Sequence, residues 1–183
     1  MTAPARRQRL QLILIFAVFF VPIIAAFVLR QSGWQPEKLR NVGELLQPPQ
    51  DLSAVSLHTL DGQAFVWKDA DYRWTLFVLG GATCESKCEG RLAEVEAIRM
   101  LLTQKATRVR IAYLGPLPNE SVRVKLKEVQ FLQGDAGVLA ASRPTTPDSV
   151  SALLVDPVGL LVVRHAAGYE PDGVRKDLFR VIK

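Results

Sequence analysis

Cys84 and Cys88 are the only two cysteines of the chain, and an apolar run ending in Gly80-Gly81 precedes them. This order predicts a buried strand, a turn and the start of a helix. If the helix begins near Cys84, both thiols lie on one helix face, with Cα atoms about 6 Å apart. Such a spacing suits a disulfide, or the binding of one soft metal ion by both sulfurs. A helix N-terminus also favours the thiolate form.

The pair also fits thiol–disulfide exchange, in which one thiolate attacks a disulfide and the second thiol resolves the mixed intermediate. Cys84, nearer the helix start, is the expected nucleophile, and Cys88 is the expected resolving thiol. Lys87 would stabilise a thiolate, whereas Glu85 and Glu89 would oppose it and would favour a bound cation. A purely structural disulfide is the remaining alternative, although so short a loop adds little stability.

The N-terminal segment predicts a membrane anchor. Residues 10–29 form an uncharged, mainly apolar run that is long enough, as a helix, to cross a bilayer. Arg6, Arg7 and Arg9 precede it, so residues 1–9 are expected in the cytoplasm and the remainder on the far side of the membrane. A cleaved signal peptide is the alternative, but its apolar region would be shorter.

Charge and cysteine content limit the classes of partner. The net charge is +5, and three of the positive charges precede the apolar run. Because the sequence has no basic cluster with interleaved aromatic residues, nucleic acid is not an expected partner. In an exported domain, the two cysteines would face an oxidising compartment.

The elements expected to position the cysteines follow a linker over residues 30–52. Within a domain over residues 53–183, hydrophobic periodicity and turn signals predict a hairpin, a strand, a helix, a strand, a helix, a hairpin and a closing helix. Their expected ranges are 55–67, 74–79, 91–104, 108–114, 121–132, 150–165 and 174–181. Strand–helix–strand units require parallel pairing and hairpins require antiparallel pairing. The sequence therefore predicts an α/β domain, with a mixed sheet and helices on both faces.

The element order, with cysteines after the first core strand, resembles a thioredoxin fold. Within that fold, the spacing of Cys84 and Cys88 resembles the Sco/SenC family of membrane-anchored proteins that deliver copper and assemble cytochrome c oxidase. The resemblance covers residues 53–183 and includes the turn at Asp61-Gly62 and the segment 154–159. It implies an anchor in the inner (cytoplasmic) membrane, a single span, and a C-terminal domain on the periplasmic side.

The resemblance implies copper bound by Cys84, Cys88 and a third ligand. The family's histidine ligand falls eight residues before the aspartate of the final hairpin turn, where this chain has Asp148. His165 is a second possible ligand, because the strand that it ends should run parallel to the strand before the cysteines. The prolines that follow the cysteines in the family are replaced here by Glu85 and Glu89.

Three functional hypotheses follow. The first is an accessory protein for cytochrome c oxidase maturation that binds copper through Cys84 and Cys88 and passes it to a membrane-protein partner, such as an oxidase subunit. The second is a thiol-disulfide oxidoreductase, an enzyme that keeps the cysteines of a copper-accepting partner reduced. The third is a membrane-tethered interaction module in which the two cysteines only form a disulfide.

Overall fold

The computed structural model describes residues 3–32 and 41–182, which fall into two units divided after residue 40. The first unit is helix α1 (Ala3–Gln31). Its segment Ile13–Gln31 has a mean hydropathy of 2.7 and is long and apolar enough to cross a membrane. The predicted apolar helix over residues 10–29 is confirmed, and the helix extends beyond it at both ends. Residues 1–2 of the predicted cytoplasmic segment lie outside the described ranges.

The predicted linker over residues 30–52 differs from the structure. Residues 33–40 of it lie outside the described ranges, whereas residues 44–51 form a strand, β1 (Glu44–Asp51), of the second unit. Pro48 and Pro49 lack an N–H group, which is why the sequence predicts irregular chain here. A strand at the edge of a sheet tolerates such residues, and the pairing of β1 shifts register between Leu45 and Gln50.

The second unit is built on a seven-stranded mixed sheet. Besides β1, its strands are β2 (Leu57–Thr59), β3 (Trp74–Gly80), β4 (Val109–Leu114), β5 (Val129–Gly134), β6 (Val150–Val155) and β7 (Leu160–His165). The strand order is β1-β7-β6-β3-β4-β5-β2. Strands β3, β4 and β5 are parallel to one another, and the other neighbouring pairs are antiparallel. The mixed sheet expected from the sequence is therefore confirmed.

Helices and loops cover opposite faces of this sheet. Helices α2 (Ser86–Leu101) and α4 (Pro171–Val181) pack together on one face, over a core that includes Leu92 and Leu178. The opposite face is covered by residues 52–67 and by a 3₁₀ helix, Gly137–Ser142. A second 3₁₀ helix, Thr103–Arg108, follows α2. The sheet is thus flanked by helices as expected, but the two long α-helices lie on one face, whereas buried loop side chains such as Trp67 and a 3₁₀ helix cover the other.

Two further elements differ from the sequence prediction. The helix expected over residues 121–132 is a single turn, α3 (Glu120–Arg123), followed by β5. Strand pairing determines the conformation of this segment, because β5 lies parallel to β4 with Ile111 opposite Val129. The hairpin expected over residues 55–67 is reduced to one bridge between His58 and Ala64, because β2 pairs with β5 instead.

Candidate thiol–disulfide site

The two cysteines lie where β3 passes into α2, and they form a disulfide with Cα atoms 5.0 Å apart. The helix begins at Ser86, earlier than the predicted range 91–104 but two residues after Cys84, so Cys84 precedes α2 and Cys88 lies in its first turn. Cys88 is completely buried, whereas Cys84 is half-buried. The structure therefore brings together the two sulfurs singled out from the sequence, and it gives them unequal access to solvent.

The burial of Cys88 follows from its position on α2. Cys88, Leu92 and Val95 recur at helical spacing, and all three side chains enter the core between α2 and the sheet. Cys84 belongs to the loop before the helix and only packs against the margin of that core. Any reagent that approaches from solvent therefore meets the sulfur of Cys84 first.

Asp148 caps the N-terminus of α2 from a distant part of the chain. Its Oδ1 accepts hydrogen bonds from the backbone N–H groups of Glu85 at 2.6 Å and Cys88 at 3.0 Å, and its Oδ2 accepts one from Lys87 at 3.1 Å. The local N-cap residue, Glu85, supplies no side-chain cap of its own. Asp148 thus satisfies backbone donors that the first turn of a helix otherwise leaves unpaired.

These contacts also shift the titration of Asp148. Desolvation raises the pKa of its carboxyl group, but the backbone N–H groups of Cys88, Glu85 and Lys87 and the charge of Lys87 outweigh desolvation and lower the pKa. The carboxylate is therefore ionised at neutral pH. The structure assigns to Asp148 a capping role at the cysteine loop, where the sequence resemblance implied a metal ligand.

Tyr113 is a neighbour of the disulfide that the sequence reasoning missed. Its hydroxyl donates a hydrogen bond to the carbonyl oxygen of Pro116 at 2.8 Å and lies 3.5 Å from the sulfur of Cys88. Burial raises the pKa of Tyr113 far above its ordinary value. Gly80 and Gly115 flank the hydroxyl so closely that a Cβ atom on either glycine would collide with it. In the sequence, Gly80 at the end of β3 and Gly115 just after β4 are the signal that a bulky group packs closely at this point.

His165 lies at the same end of the sheet as the cysteines, because β7 and β3 both run antiparallel to β6. Its side chain is nevertheless buried against α4, where Nε2 lies 3.3 Å from Oδ2 of Asp177. The same carboxylate accepts hydrogen bonds from the backbone N–H groups of Val42 and Gly43. Burial lowers the pKa of His165, against the opposing influence of Asp177.

The donor set of this chain differs from the copper site that the resemblance implies. Across residues 3–32 and 41–182, no three side chains of histidine, cysteine, aspartate or glutamate converge to hold a metal ion. Asp148 accepts hydrogen bonds from backbone donors, and the side chain of His165 is buried beside Asp177. The residues present therefore do not fit a copper centre with a third protein ligand, and only the two sulfurs remain as donors after reduction of the disulfide.

Solved structures with the same fold include two Sco proteins and one thiol:disulfide interchange protein. BsSco, a member of the Sco family of cytochrome c oxidase assembly proteins with a disulfide switch, is 17% identical, with a TM-score of 0.52 over 75% of this chain and 95% of that protein. Yeast Sco1 with copper bound is 14% identical, with a TM-score of 0.50 over 78% and 88%. A protein from Chlorobium tepidum named as a thiol:disulfide interchange protein, DsbE, is 11% identical, with a TM-score of 0.50 over 73% and 94%. At these identities the likeness establishes the thioredoxin-like fold.

Family models match both units of the chain, whereas no curated protein matches the sequence. Residues 3–33 match the model described as transmembrane-like, N-terminal domain. Residues 74–183, which are more than half of the chain, match the model described as transmembrane-like, thioredoxin-like, C-terminal domain. The chain therefore belongs to this family of transmembrane-like, thioredoxin-like proteins.

Proposed function

We propose that the chain is a membrane-anchored thiol–disulfide oxidoreductase that exchanges electrons with a disulfide of a membrane-protein partner. The observation that carries this proposal is the unequal burial of Cys84 and Cys88 across one disulfide at the start of α2. Exchange requires one sulfur that a partner can reach and a second sulfur that reaches only the first. Cys84 meets the first requirement and Cys88 meets the second.

The proposed reaction begins with the reduced pair. The Cys84 thiolate attacks one sulfur of the partner disulfide, so that a Cys84–partner mixed disulfide forms and one partner thiolate leaves. The Cys88 thiol loses its proton and attacks the Cys84 sulfur, which restores the Cys84–Cys88 disulfide and releases the second partner thiolate. Two electrons pass to the partner, and its two thiolates take up protons. A dithiol donor must then reduce the pair again.

The location of the reaction rests on helix α1. Its apolar length suits a single membrane span, and the arginines at positions 6, 7 and 9 favour retention of the N-terminus in the cytoplasm. We therefore place the anchor in the inner membrane and the cysteine domain on the periplasmic side. A reporter enzyme that is active only in the periplasm, fused after residue 183, should be active; activity of only a cytoplasmic reporter at that site would reverse the orientation.

Trapping of the mixed disulfide tests the proposed chemistry. The full chain, purified in a mild detergent as Cys88→Ser and as Cys84→Ser, is mixed with oxidised glutathione as the probe. We expect Cys88→Ser to form one glutathione adduct, because the reachable Cys84 is retained. Cys84→Ser is the matched control and should react far more slowly, since Cys88 is buried. Equal rates, or no adduct in either variant, would contradict the proposal.

Copper transport is the second candidate function, with copper as cargo for cytochrome c oxidase maturation. After reduction, two thiolates on residues whose Cα atoms lie 5.0 Å apart suit Cu(I), which accepts few soft ligands. Titration of the reduced full chain with Cu(I), against a competing chelator, should give one tightly bound ion per chain. Binding should be lost in both Cys84→Ser and Cys88→Ser. A reduced chain that leaves all Cu(I) on the chelator would eliminate this candidate.

A further inference from the structure

We propose that Asp148 sets the direction of electron transfer by disfavouring the reduced, thiolate-bearing form of the Cys84–Cys88 pair, so that the protein acts as a reductant. The inference rests on the proposed oxidoreductase function and assigns its substrate class: an oxidised cysteine pair of a partner, which leaves as a dithiol. Asp148 is a positioning residue in this reaction, because it touches the backbone of the cysteine loop rather than the exchanging sulfurs.

The first step of the argument concerns the backbone donors of α2. In a helix that begins beside a cysteine, unpaired N–H groups and the positive end of the helix dipole stabilise the thiolate. Here the N–H groups of Glu85, Lys87 and Cys88 already donate to the Asp148 carboxylate. The carboxylate thus occupies donors that a thiolate would use, and it adds a negative charge at the same place.

The second step concerns how firmly the carboxylate is held. The N–H group of Asp148 donates to Oγ1 of Thr83 at 3.1 Å, and the N–H group of Gly81 donates to the carbonyl oxygen of Ser149 at 2.9 Å. Two hydrogen bonds, one to a side chain and one between backbone groups, therefore join the loop before β6 to the loop before α2. Asp148 also has φ +52°, a left-handed conformation that few non-glycine residues adopt and that surrounding contacts must maintain. We expect the carboxylate to stay in place when the disulfide is reduced.

The third step is the effect on the redox equilibrium. Only the reduced pair carries a thiolate, so a fixed negative charge and occupied donors raise the free energy of the reduced form relative to the disulfide. Proteins that stabilise their thiolate are oxidants, because stabilisation of the reduced form raises the reduction potential. The arrangement around Asp148 acts in the opposite sense. The pair should therefore give up electrons readily and return to the disulfide.

Substitution of Asp148 in the full chain tests the inference. The variants Asp148→Asn and Asp148→Gly both suit the left-handed backbone, and each removes the charge. In detergent, with dithiothreitol redox buffers, we expect the dithiol–disulfide equilibrium to shift about tenfold toward the dithiol. For a two-electron couple, this shift raises the reduction potential by about 30 mV. Alkylation of Cys84 by iodoacetamide should also begin at lower pH in both variants.

Glu85→Gln is the matched control, because it removes an equal charge at the same helix end without releasing any backbone donor. We expect it to shift the equilibrium by less than about threefold, since exposed charges are screened. Unchanged equilibria in Asp148→Asn and Asp148→Gly would overturn the inference, as would an equal shift in Glu85→Gln. These measurements use dithiothreitol alone, so they stand even if the glutathione trapping experiment refutes the proposed oxidoreductase function.

Discussion

The packing of Gly80 against Tyr113 allows a prediction about the stability of the site. A Cβ atom built on Gly80 would collide with the Tyr113 hydroxyl and would lie 3.1 Å from Cζ and 3.2 Å from Cε2. The collision thus involves chiefly one oxygen atom. Gly80→Ala should be destabilising in the natural background, and Tyr113→Phe should relieve most of the strain by removing that oxygen.

The magnitudes follow from the contacts. Overpacking of a buried position costs about 1–3 kcal/mol, and we expect Gly80→Ala to fall in that range. Tyr113→Phe alone should cost about 1 kcal/mol, because the Tyr113 hydroxyl donates to the Pro116 carbonyl oxygen. The double variant should lose less stability than the sum of the two single losses. The difference, which is the coupling free energy, should be about 1–2 kcal/mol.

Urea unfolding of the full chain in detergent, followed by tryptophan fluorescence, measures the unfolding free energies of the unsubstituted chain, the two single variants and the double variant. Gly115→Ala is the control, because a Cβ atom there would meet the Tyr113 hydroxyl at 2.7 Å and also the backbone Cα of Gly80 at 2.9 Å. Tyr113→Phe should therefore rescue Gly115→Ala far less than it rescues Gly80→Ala. Additive free energies for Gly80→Ala and Tyr113→Phe would refute the reasoning.

Three further predictions concern the disulfide and the buried pair of His165 and Asp177. Reduction of Cys84–Cys88 should lower the unfolding free energy by only about 2 kcal/mol, because the closed loop is short; a Cys84→Ser/Cys88→Ser variant should show no change with reductant. Burial lowers the pKa of His165 from 6.5, so the unfolded chain binds the extra proton. Unfolding free energy should therefore fall as the pH drops below about 6.5, and His165→Gln should remove that decline. Asp177→Asn should speed amide hydrogen exchange at Val42 and Gly43 about tenfold, because both N–H groups donate to the buried carboxylate; unaltered exchange would contradict this account.

Hydrophobic patterns predict the inner strands of the sheet well, because such patterns reflect which side chains are buried. The apolar run before the cysteines is β3, and the final hairpin is formed by β6 and β7. The outer strands of the sheet are harder to predict, because they form by pairing with strands that are distant in the sequence. Pro48 and Pro49 indicate irregular chain, yet β7 recruits this segment as β1. Residues 129–134 have apolar positions compatible with a helix, yet β4 pairs with them.

The candidate site shows the same limit. The spacing of Cys84 and Cys88 is sufficient to predict two neighbouring sulfurs, because only three residues separate them along the chain. The contacts of Asp148 and Tyr113 span 60 and 25 residues along the chain, so no local pattern reveals them. The strand order predicts that His165 lies at the cysteine end of the sheet, but its side chain packs beside Asp177 of α4, a contact that no local pattern reveals.

The two edge strands of the sheet affect how readily crowded copies of the protein aggregate. Open strand edges invite neighbouring chains to add strands, and aggregates grow in this way. At one border, β1 carries Pro48 and Pro49, which offer no N–H group to an incoming strand. At the other border, β2 is three residues long. Both edges are therefore poor templates for strand addition, so crowded copies should not aggregate by extending the sheet.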